Sequence, residues 1–336
     1  MGVLLVNLGT PDAPERAAVA RYLREFLMDP RVIDMPWLGR ALLVHGIIAP
    51  FRSGKSAEAY RTVFTDQGSP LLVHGEALRR AVEARLDGEP VVLGMRYGNP
   101  SLSQALESLR DCAVRDATVL PLFPQTCDAT TGSVRAEVER LRAKICPDMT
   151  LKFVDGFSDH PAFIEAQADL AREAREGFDA DHVLLSYHGL PERQLIKANA
   201  SGSCLVKPTC CDRITKDNVG CYRAQCFATS RALARALELG ADDCTVSFQS
   251  RLGRARWIHP YTDVVVRELA AQGRKRILVL SPAFVADCLE TLEELGLRLA
   301  ETFREAGGEE LRLVPCVNAS PLWVDGVVRL LDEAAH

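Results

Sequence analysis

The sequence has no long apolar run, few aromatic residues and no marked excess of charge. Aromatic residues make up 6% of its 336 residues, and 40 Lys and Arg stand against 45 Asp and Glu, a net charge of −5. No stretch approaches the roughly 18 consecutive apolar residues that predict a membrane-spanning helix. The slightly acidic balance argues against a protein whose main partner is nucleic acid, because such domains are usually basic.

The N-terminal stretch, MGVLLVNLGTPDAPE, also lacks familiar targeting signals. It has neither the basic start and longer apolar core of a secretion signal nor the Ser or Thr at position 6 that myristoylation of Gly2 requires. We therefore expect a cytoplasmic protein. In that reducing compartment, cysteines that lie close together in sequence are more often metal ligands than disulfides.

Short runs of Val, Ile and Leu alternate with longer amphipathic segments along the chain. Such runs, each ending in turn residues, are typical of parallel sheets covered by helices on both faces. They predict an α/β fold of two similar lobes, residues 1–156 and 157–320, with a last helix over about 321–336 placed with the first lobe. The predicted strands are Val3–Leu8, Val91–Tyr97, Ala117–Phe123, Leu151–Asp155, His182–Tyr187, Cys244–Phe248, Arg276–Leu280 and Leu311–Pro315.

Polar side chains cluster directly after several of these runs. In open parallel sheets, ligands bind beyond the carboxyl ends of the strands, so we predict one cleft between the lobes. The polar segments are NLGTPD (7–12), MRYGN (95–99), PLFPQTCDATTGS (121–133), SYHGLPE (186–192), SFQSRLG (247–253) and SPAFVADCLETLEE (281–294).

His188 and a row of carboxylates are the residues best suited to chemistry. His188 follows an apolar run, where it is either a hydrogen-bonded histidine at a strand end or a group that titrates near neutral pH and binds a divalent metal. Asp287, Glu290 and Glu294 are spaced i, i+3, i+7, which places them on one face of an α-helix. That face is either solvated or, with a facing histidine, a site for a hydrated divalent cation.

A segment with arginine and hydroxyl groups near residue 60 offers a second type of site. Arg52, Tyr60 and Ser69 could hold a carboxylate ligand, with the arginine as a charge-assisted donor. Just before them, residues 35–51 (MPWLGRALLVHGIIAPF) carry six large apolar side chains within twelve positions. This stretch is either a buried helix or an apolar lip for a large flat ligand or a membrane surface.

Five of the eleven cysteines lie within 23 residues, at Cys204, Cys210, Cys211, Cys221 and Cys226. Their spacing, C-x5-C-C-x9-C-x4-C, fits neither a zinc ribbon with its paired C-x2-C motifs nor a bacterial ferredoxin run. Four thiolates can still be chosen from the five, and the segment between them is polar. A zinc site, an iron–sulfur cluster and packed cysteines without a ligand remain as alternatives.

Taken together, these segments resemble the ferrochelatases, enzymes that insert ferrous iron into a porphyrin to make haem. The matching segments are GVLLVNLGTPD, SAEAYRTVFTDQGSPL, FPQTCDATTGS, SYHGLPER, SFQSRLG and FVADCLETLEE, in order from about Gly2 to Leu330. SYHGLP followed about 100 residues later by DCLETLEE is the most specific combination. The resemblance implies a chelatase-like fold of two Rossmann-like lobes, each with a parallel four-stranded sheet, and a porphyrin between them. Cys288 departs from the family pattern, since other members carry histidine there.

The resemblance also implies roles for individual residues. His188 and Glu290 match the active-site histidine and the catalytic acid, with Asp287 and Glu294 as an acidic row that brings Fe²⁺ to them. Residues 35–51 match the apolar lip of the pocket, which suits loose contact with the inner face of a membrane. The residues that match porphyrin contacts are Arg52, Tyr60 and Ser69 at the propionates, and Arg96 and Tyr97 along the pocket.

The five-cysteine segment sits where several bacterial ferrochelatases carry a [2Fe–2S] cluster, just after the HGLP motif. That likeness favours a cluster held by Cys204, Cys211 and Cys221, with either Cys210 or Cys226 as the fourth ligand. Two other functions stay open: a chelatase for another metal such as cobalt, and an iron–sulfur protein that binds a tetrapyrrole to sense redox state or iron. The sequence leaves the preferred porphyrin (protoporphyrin IX or coproporphyrin III) and the oligomeric state undecided.

Overall fold

The structure is a computed structural model that describes residues 1–199, 202, 204–205, 209–251, 253 and 255–335. The chain divides into two compact units. Unit 1 is formed by Met1–Phe123, Asp128–Gly156 and Trp323–His336, and unit 2 by Pro124–Cys127 and Phe157–Leu322. Three predictions extend beyond the described residues: the cysteine segment at 206–208, the SFQSRLG motif at Leu252 and the last helix at His336.

Unit 1 is built around a parallel four-stranded sheet in the order β2-β1-β3-β4. Its strands are β1 Gly2–Thr10, β2 Val91–Gly98, β3 Asp116–Pro121 and β4 Thr150–Phe153. Its α-helices are α1 Arg16–Leu27, α2 Trp37–Ala41, α3 Ala49–Arg61, α4 Pro70–Glu83, α5 Leu102–Asp111, α6 Ser133–Ile145 and most of α12 Pro321–Ala335. Leu42–Ile48 and Asp128–Gly132 are π-helical.

Unit 2 repeats the same strand arrangement, β6-β5-β7-β8, again with all pairings parallel. Its strands are β5 His182–His188, β6 Cys244–Gln249, β7 Arg276–Leu280 and β8 Glu310–Leu313. Its helices are α7 Pro161–Arg175, α8 Glu192–Ala198, α9 Tyr222–Ala236, α10 Thr262–Ala271, α11 Ala300–Glu305 and a π-helix at Glu290–Leu299.

The predicted α/β fold with two parallel four-stranded sheets is confirmed, and every predicted strand end lies within two residues of the observed one. The reason is that the central strands are covered on both faces. Leu4 and Leu5 point to opposite faces of β1, yet both are fully buried, as are Leu184 and Leu185 on β5. An uninterrupted apolar run is the sequence pattern that such a strand needs.

Local signals explain why individual helices begin where they do. Ser101 accepts a hydrogen bond from the backbone of Gln104, and the Gln104 side chain accepts one from the Ser101 N–H, so a capping box starts α5. Leu102, Leu106 and Leu109 then recur at helical spacing and are buried against the unit 1 sheet. This packing fixes α5 beside the carboxyl end of β2, where Arg96 and Tyr97 lie.

One helix differs from its prediction in type. The spacing of Asp287, Glu290 and Glu294 predicts an α-helix here, but the structure has a π-helix over Glu290–Leu299 that continues into α11. The pattern of apolar residues does not separate the two, because both bury one stripe. Extended π-helical turns are rare and are often found at functional sites.

Within the described residues, no helix combines the length and the apolar character that crossing a membrane requires.

Candidate active site

His188 lies at the carboxyl end of β5, half-buried, with its ring edge-on to Phe284 at a centroid distance of 6.3 Å. Burial lowers the pKa of His188 below its usual value, and the nearby charge of Glu290 opposes this shift. The imidazole is therefore neutral at physiological pH and able to accept a proton or bind a metal.

The backbone around His188 is held on both sides. The Tyr222 hydroxyl donates to the His188 carbonyl at 2.8 Å, and the Gly189 N–H donates to the Gln249 carbonyl at 2.8 Å. A Cβ at Gly189 would lie only 2.8 Å from that same carbonyl oxygen, so the position requires glycine. The single glycine of the HGLP motif thus permits the close approach of β5 and β6 that fixes the histidine.

Glu290 is the first residue of the π-helix, and Gln249 ties this helix to β5. The Gln249 side-chain amide donates to the Glu290 carbonyl at 3.1 Å, while its oxygen accepts from the Ser186 hydroxyl at 2.8 Å. Gln249 is buried. A single side chain therefore bridges the strand that carries the histidine and the helix that carries the acid.

Glu294 follows Glu290 by four residues, close to one turn of a π-helix. Its carboxylate accepts hydrogen bonds from the Ser250 N–H at 3.0 Å and the Ser250 hydroxyl at 2.5 Å. Burial raises the pKa of Glu294 in spite of these contacts. The two carboxylates form a short acidic row at the start of the helix.

Asp287 does not belong to that row. It precedes the helix and is buried, and its carboxylate accepts hydrogen bonds from the Asn318 side chain at 2.7 Å, the Thr291 hydroxyl at 3.1 Å and the Cys316 N–H at 3.3 Å. The expected single face of three carboxylates is therefore wrong for Asp287, because the helix begins after it. Its observed contacts anchor the start of the helix to the segment that follows β8.

A second polar cluster lies in unit 1 at the carboxyl end of β2. The Asp29 carboxylate accepts from Arg96 Nη2 at 2.6 Å, Tyr97 Oη at 2.9 Å, Ser133 Oγ at 2.5 Å and the Arg31 N–H at 2.7 Å. Burial alone would raise the pKa of Asp29, but these donors together hold it below the usual value. The cluster borders a cavity of about 430 Å³ in unit 1. Asp29 was not predicted from the sequence, and Ser133 was predicted only as the last residue of the polar segment 121–133.

The predicted propionate-binding residues also lie in unit 1. Arg52 is exposed on α3, and Tyr60 is buried near the end of the same helix, with its ring edge-on to Phe64. Ser69 is the N-cap of α4 and accepts a hydrogen bond from the Thr10 hydroxyl at 2.7 Å, which places it beside the carboxyl end of β1.

The apolar segment 35–51 is helical from Trp37 onward, and much of it is exposed rather than buried. Trp37, Leu42 and Phe51 are 66%, 67% and 79% exposed, whereas Val44 is fully buried. The alternative of a buried helix is therefore wrong for this outer face. The segment presents a contiguous stretch of apolar side chains on the surface of unit 1.

Four of the five clustered cysteines interact with one another. The Sγ atoms of Cys210 and Cys211 are 3.7 Å apart. Hydrogen bonds from Cys211 and Cys204, with the N–H groups at the start of α9, lower the pKa of Cys221 to about 6. Burial and the neighbouring Cys221 raise the pKa of Cys204 to about 11.

Cys226 differs from these four cysteines in its burial, although it also lies near Cys221. It is fully buried within α9, and burial raises the pKa of its thiol well above the usual value. Across the part of the chain that the structure describes, no three His, Cys, Asp or Glu side chains are set out as a finished metal site. The four interacting cysteines are thus close together without forming a preformed coordination sphere.

Comparisons with known proteins point to one family. The family profile described as Ferrochelatase matches residues 1–335. A ferrochelatase of Coxiella burnetii is 47% identical over 336 residues, covering 99% of this chain and 94% of its own, and one of Legionella pneumophila is 46% identical over 335 residues, covering 99% and 98%.

Solved structures share the fold at low sequence identity. SirB from Bacillus subtilis with Fe³⁺ has a TM-score of 0.55 at 11% identity, covering 99% of this chain and 95% of its own. CbiX, described as the terminal enzyme of sirohaem biosynthesis in denitrifying bacteria, has a TM-score of 0.50 at 16% identity, covering 99% of both chains. These likenesses support the architecture of two parallel four-stranded sheets.

Proposed function

This chain belongs to the ferrochelatase family, and on that basis we propose which of its residues perform the reaction. A ferrochelatase inserts ferrous iron into a porphyrin in haem biosynthesis, acting as a porphyrin metal-ion lyase. For each iron inserted, the two pyrrole N–H groups lose their protons and four nitrogens bind the metal. The reaction consumes no redox equivalent, because the iron stays ferrous.

The chemistry places clear demands on the protein. Pyrrole N–H groups are very weak acids, and a planar ring hides its nitrogen lone pairs. Catalysis therefore needs a base near the ring, a pocket that holds the ring bent, and a partly dehydrated metal ion within reach.

His188 and Glu290 meet these demands, and the observation that carries the assignment is their proximity in unit 2. Gln249 links the strand that carries His188 to the backbone of Glu290, and burial lowers the pKa of the His188 imidazole. His188 accepts a pyrrole proton or makes the last contact to Fe²⁺. Glu290 receives the other proton or delivers iron, with Glu294 next along the helix. Asp287 positions this helix instead of relaying iron, since its carboxylate accepts hydrogen bonds from Asn318, Thr291 and Cys316.

Unit 1 supplies the proposed porphyrin contacts. Arg52, Tyr60 and Ser69 hold the propionates, with the arginine as the charged donor. Arg96 and Tyr97 line the pocket, and their hydrogen bonds to Asp29 support a fixed orientation.

The test is an anaerobic insertion assay with Fe²⁺ and either protoporphyrin IX or coproporphyrin III, following the loss of free-porphyrin absorbance. Turnover that disappears in His188→Ala supports the assignment, and the faster substrate identifies the porphyrin. Tight porphyrin binding without turnover in the wild-type protein would contradict it and favour a sensor of redox state or iron. Cobalt in competition with iron measures the metal preference.

The cysteine segment supports a second proposal, a [2Fe–2S] cluster held by Cys204, Cys210, Cys211 and Cys221. The donor set fits: the four thiols interact, and Arg223 Nη1 lies 3.1 Å from Cys211 Sγ, where it compensates thiolate charge. Cys226 is buried within a helix and belongs to the core. A cluster would supply one-electron redox chemistry or a means of sensing iron.

Iron and sulfide analysis with visible absorbance tests the cluster. Cys210→Ser is expected to lose the cluster and Cys226→Ser to keep it, and the reverse pattern would make Cys226 the fourth ligand. Protein purified without oxygen that holds neither iron nor sulfide would refute the proposal.

We also propose loose contact of the 35–51 surface with the inner face of a membrane, consistent with a cytoplasmic protein. The support is the row of exposed apolar side chains on this segment. Liposome flotation tests it: recovery of all the protein in the soluble fraction would argue against the contact.

A further inference from the structure

Tyr222 occupies the junction between the interacting cysteines and His188. It is the first residue of α9, and Cys221 is the N-cap immediately before it. The side chain is buried, 7% exposed, and its hydroxyl donates to the His188 carbonyl at 2.8 Å. One residue therefore touches the backbone of the proposed base while its neighbour in the chain belongs to the thiol group.

The hydrogen bond from the Tyr222 hydroxyl to the His188 carbonyl is well formed, and the tyrosine is buried. The Tyr222 hydroxyl lies 2.8 Å from the His188 carbonyl oxygen, which is within the range of a well-formed hydrogen bond. The carbonyl it serves lies at the end of β5. Removing the hydroxyl would leave this carbonyl without its donor in a largely buried setting, which costs more than the net value of an ordinary hydrogen bond.

Cys221, the residue before Tyr222, is also fixed by hydrogen bonds. Arg223, in the first turn of α9, donates to Cys211 Sγ at 3.1 Å, and Cys211 and Cys204 hydrogen-bond to Cys221, the N-cap of that helix. Any change that moves these sulfur atoms, such as metal binding or oxidation of the thiols, acts on the first turn of α9. That turn includes Tyr222.

We propose that Tyr222 is a positioning residue for His188 and that it couples the state of the four cysteines to the imidazole. The coupling rests on the proposed role of His188. Its physical basis is a continuous path of direct contacts: Cys221 Sγ, the first turn of α9, the Tyr222 hydroxyl and the His188 carbonyl. Linkage requires that such coupling be reciprocal, so a disturbance at either end is felt at the other.

Tyr222→Phe removes only the hydroxyl, and Tyr187→Phe is a matched control. Tyr187 is also buried and also joins β5 to α9, through a 2.7 Å hydrogen bond to Ser230, but its hydroxyl does not contact His188. We expect both variants to lose a similar amount of thermal stability. Only Tyr222→Phe should lose turnover, with kcat falling roughly tenfold and KM for porphyrin unchanged.

A double-mutant cycle with Cys211→Ser measures the coupling, with visible absorbance recorded for every variant. Cys211→Ser is expected to lower kcat several-fold in the wild-type background and less than twofold in the Tyr222→Phe background. In the Tyr187→Phe background its full effect should remain. Additive effects in the Tyr222→Phe background would overturn the coupling.

The outcomes separate this inference from the function it rests on. If His188→Ala keeps near-native turnover, the proposed role of His188 fails. If His188→Ala is inactive but Tyr222→Phe matches Tyr187→Phe in kcat, the positioning role is overturned while the proposed function stands.

Discussion

The two units place different polar groups at the carboxyl ends of their sheets, after the edge strand β2 in unit 1 and after the inner strand β5 in unit 2. Both sheets have the same strand order, and in both the strand ends carry polar side chains. In unit 1, Asp29 satisfies its carboxylate with four donors, including Arg96 and Tyr97. In unit 2 the backbone of His188 is bonded, but among the described residues no group hydrogen-bonds to its imidazole. A carboxylate that already accepts four hydrogen bonds is suited to holding its neighbours in place for binding. An imidazole whose backbone is fixed but whose ring has no hydrogen bond within the described residues is suited to proton transfer.

The largest effect is expected where the base itself is removed. His188→Ala and Glu290→Gln should each lower the insertion rate by at least about 10²-fold, since general acid–base groups contribute that much. Steady-state assays with Fe²⁺ and porphyrin measure it. His182→Ala is the control, because His182 lies at the opposite end of the same strand and bonds to Thr245. A near-native rate for either active-site variant would remove that residue from the mechanism.

A change in the Asp29 cluster should alter KM for porphyrin and not the rate of insertion. Asp29→Asn removes the charge that faces Arg96, and we expect KM for porphyrin to rise about tenfold, kcat to change little and the free energy of unfolding to fall by about 2 kcal/mol. Chemical denaturation and saturation kinetics measure these values. Asp128→Asn, at an exposed ion pair with Arg31, should leave both KM for porphyrin and the free energy of unfolding unchanged. If Asp29→Asn lowers kcat and leaves KM unchanged, the proposed difference between a binding cluster in unit 1 and a catalytic group in unit 2 is wrong.

The pH dependence of kcat/KM should report the titration of the His188 imidazole. The pKa of His188 is lowered below 6.5, and the proposed mechanism needs the neutral form, so kcat/KM should be level above pH 6.5 and fall as pH drops through the folded-state value. Glu290→Gln removes a charge that raises this pKa, so the acidic limb of its residual activity should move to lower pH. Exposed Glu301→Gln is the control. An acidic limb centred above pH 6.5 would contradict the burial of His188.

The same shift has a consequence for stability. The unfolded chain protonates His188 near pH 6.5 and the folded chain only at lower pH, so its neutral burial disfavours the folded state progressively as pH falls below 6.5.

The smallest effect is expected at the apolar surface of unit 1. Leu42→Ser and Phe51→Ser alter exposed side chains and should change the free energy of unfolding by less than about 0.5 kcal/mol. Val44→Ser, buried in the same segment, should cost about 2 kcal/mol or more. Thermal unfolding compares the three, and equal losses would mean that the outer face is packed.

The strands and the type of fold could be predicted because buried parallel strands need continuous apolar runs, and these are local. The positions of His188 and Glu290 followed from motifs at strand ends. Asp29 could not be found this way, since it meets Arg96 across 67 residues of sequence and lies in no recognisable pattern. Asp287 was misplaced because its i, i+3 spacing with Glu290 gives no sign that the helix starts between them.

The division of the chain also sets an order of assembly on the ribosome. Most of α12 belongs to unit 1, and its Trp323, Val324 and Val327 are buried, yet it is synthesised after all of unit 2. While unit 2 emerges, the core of unit 1 is missing these side chains. Unit 1 can therefore complete its native packing only after α12 has been made, and its N-terminal part is the part of the chain that waits longest in an incomplete state.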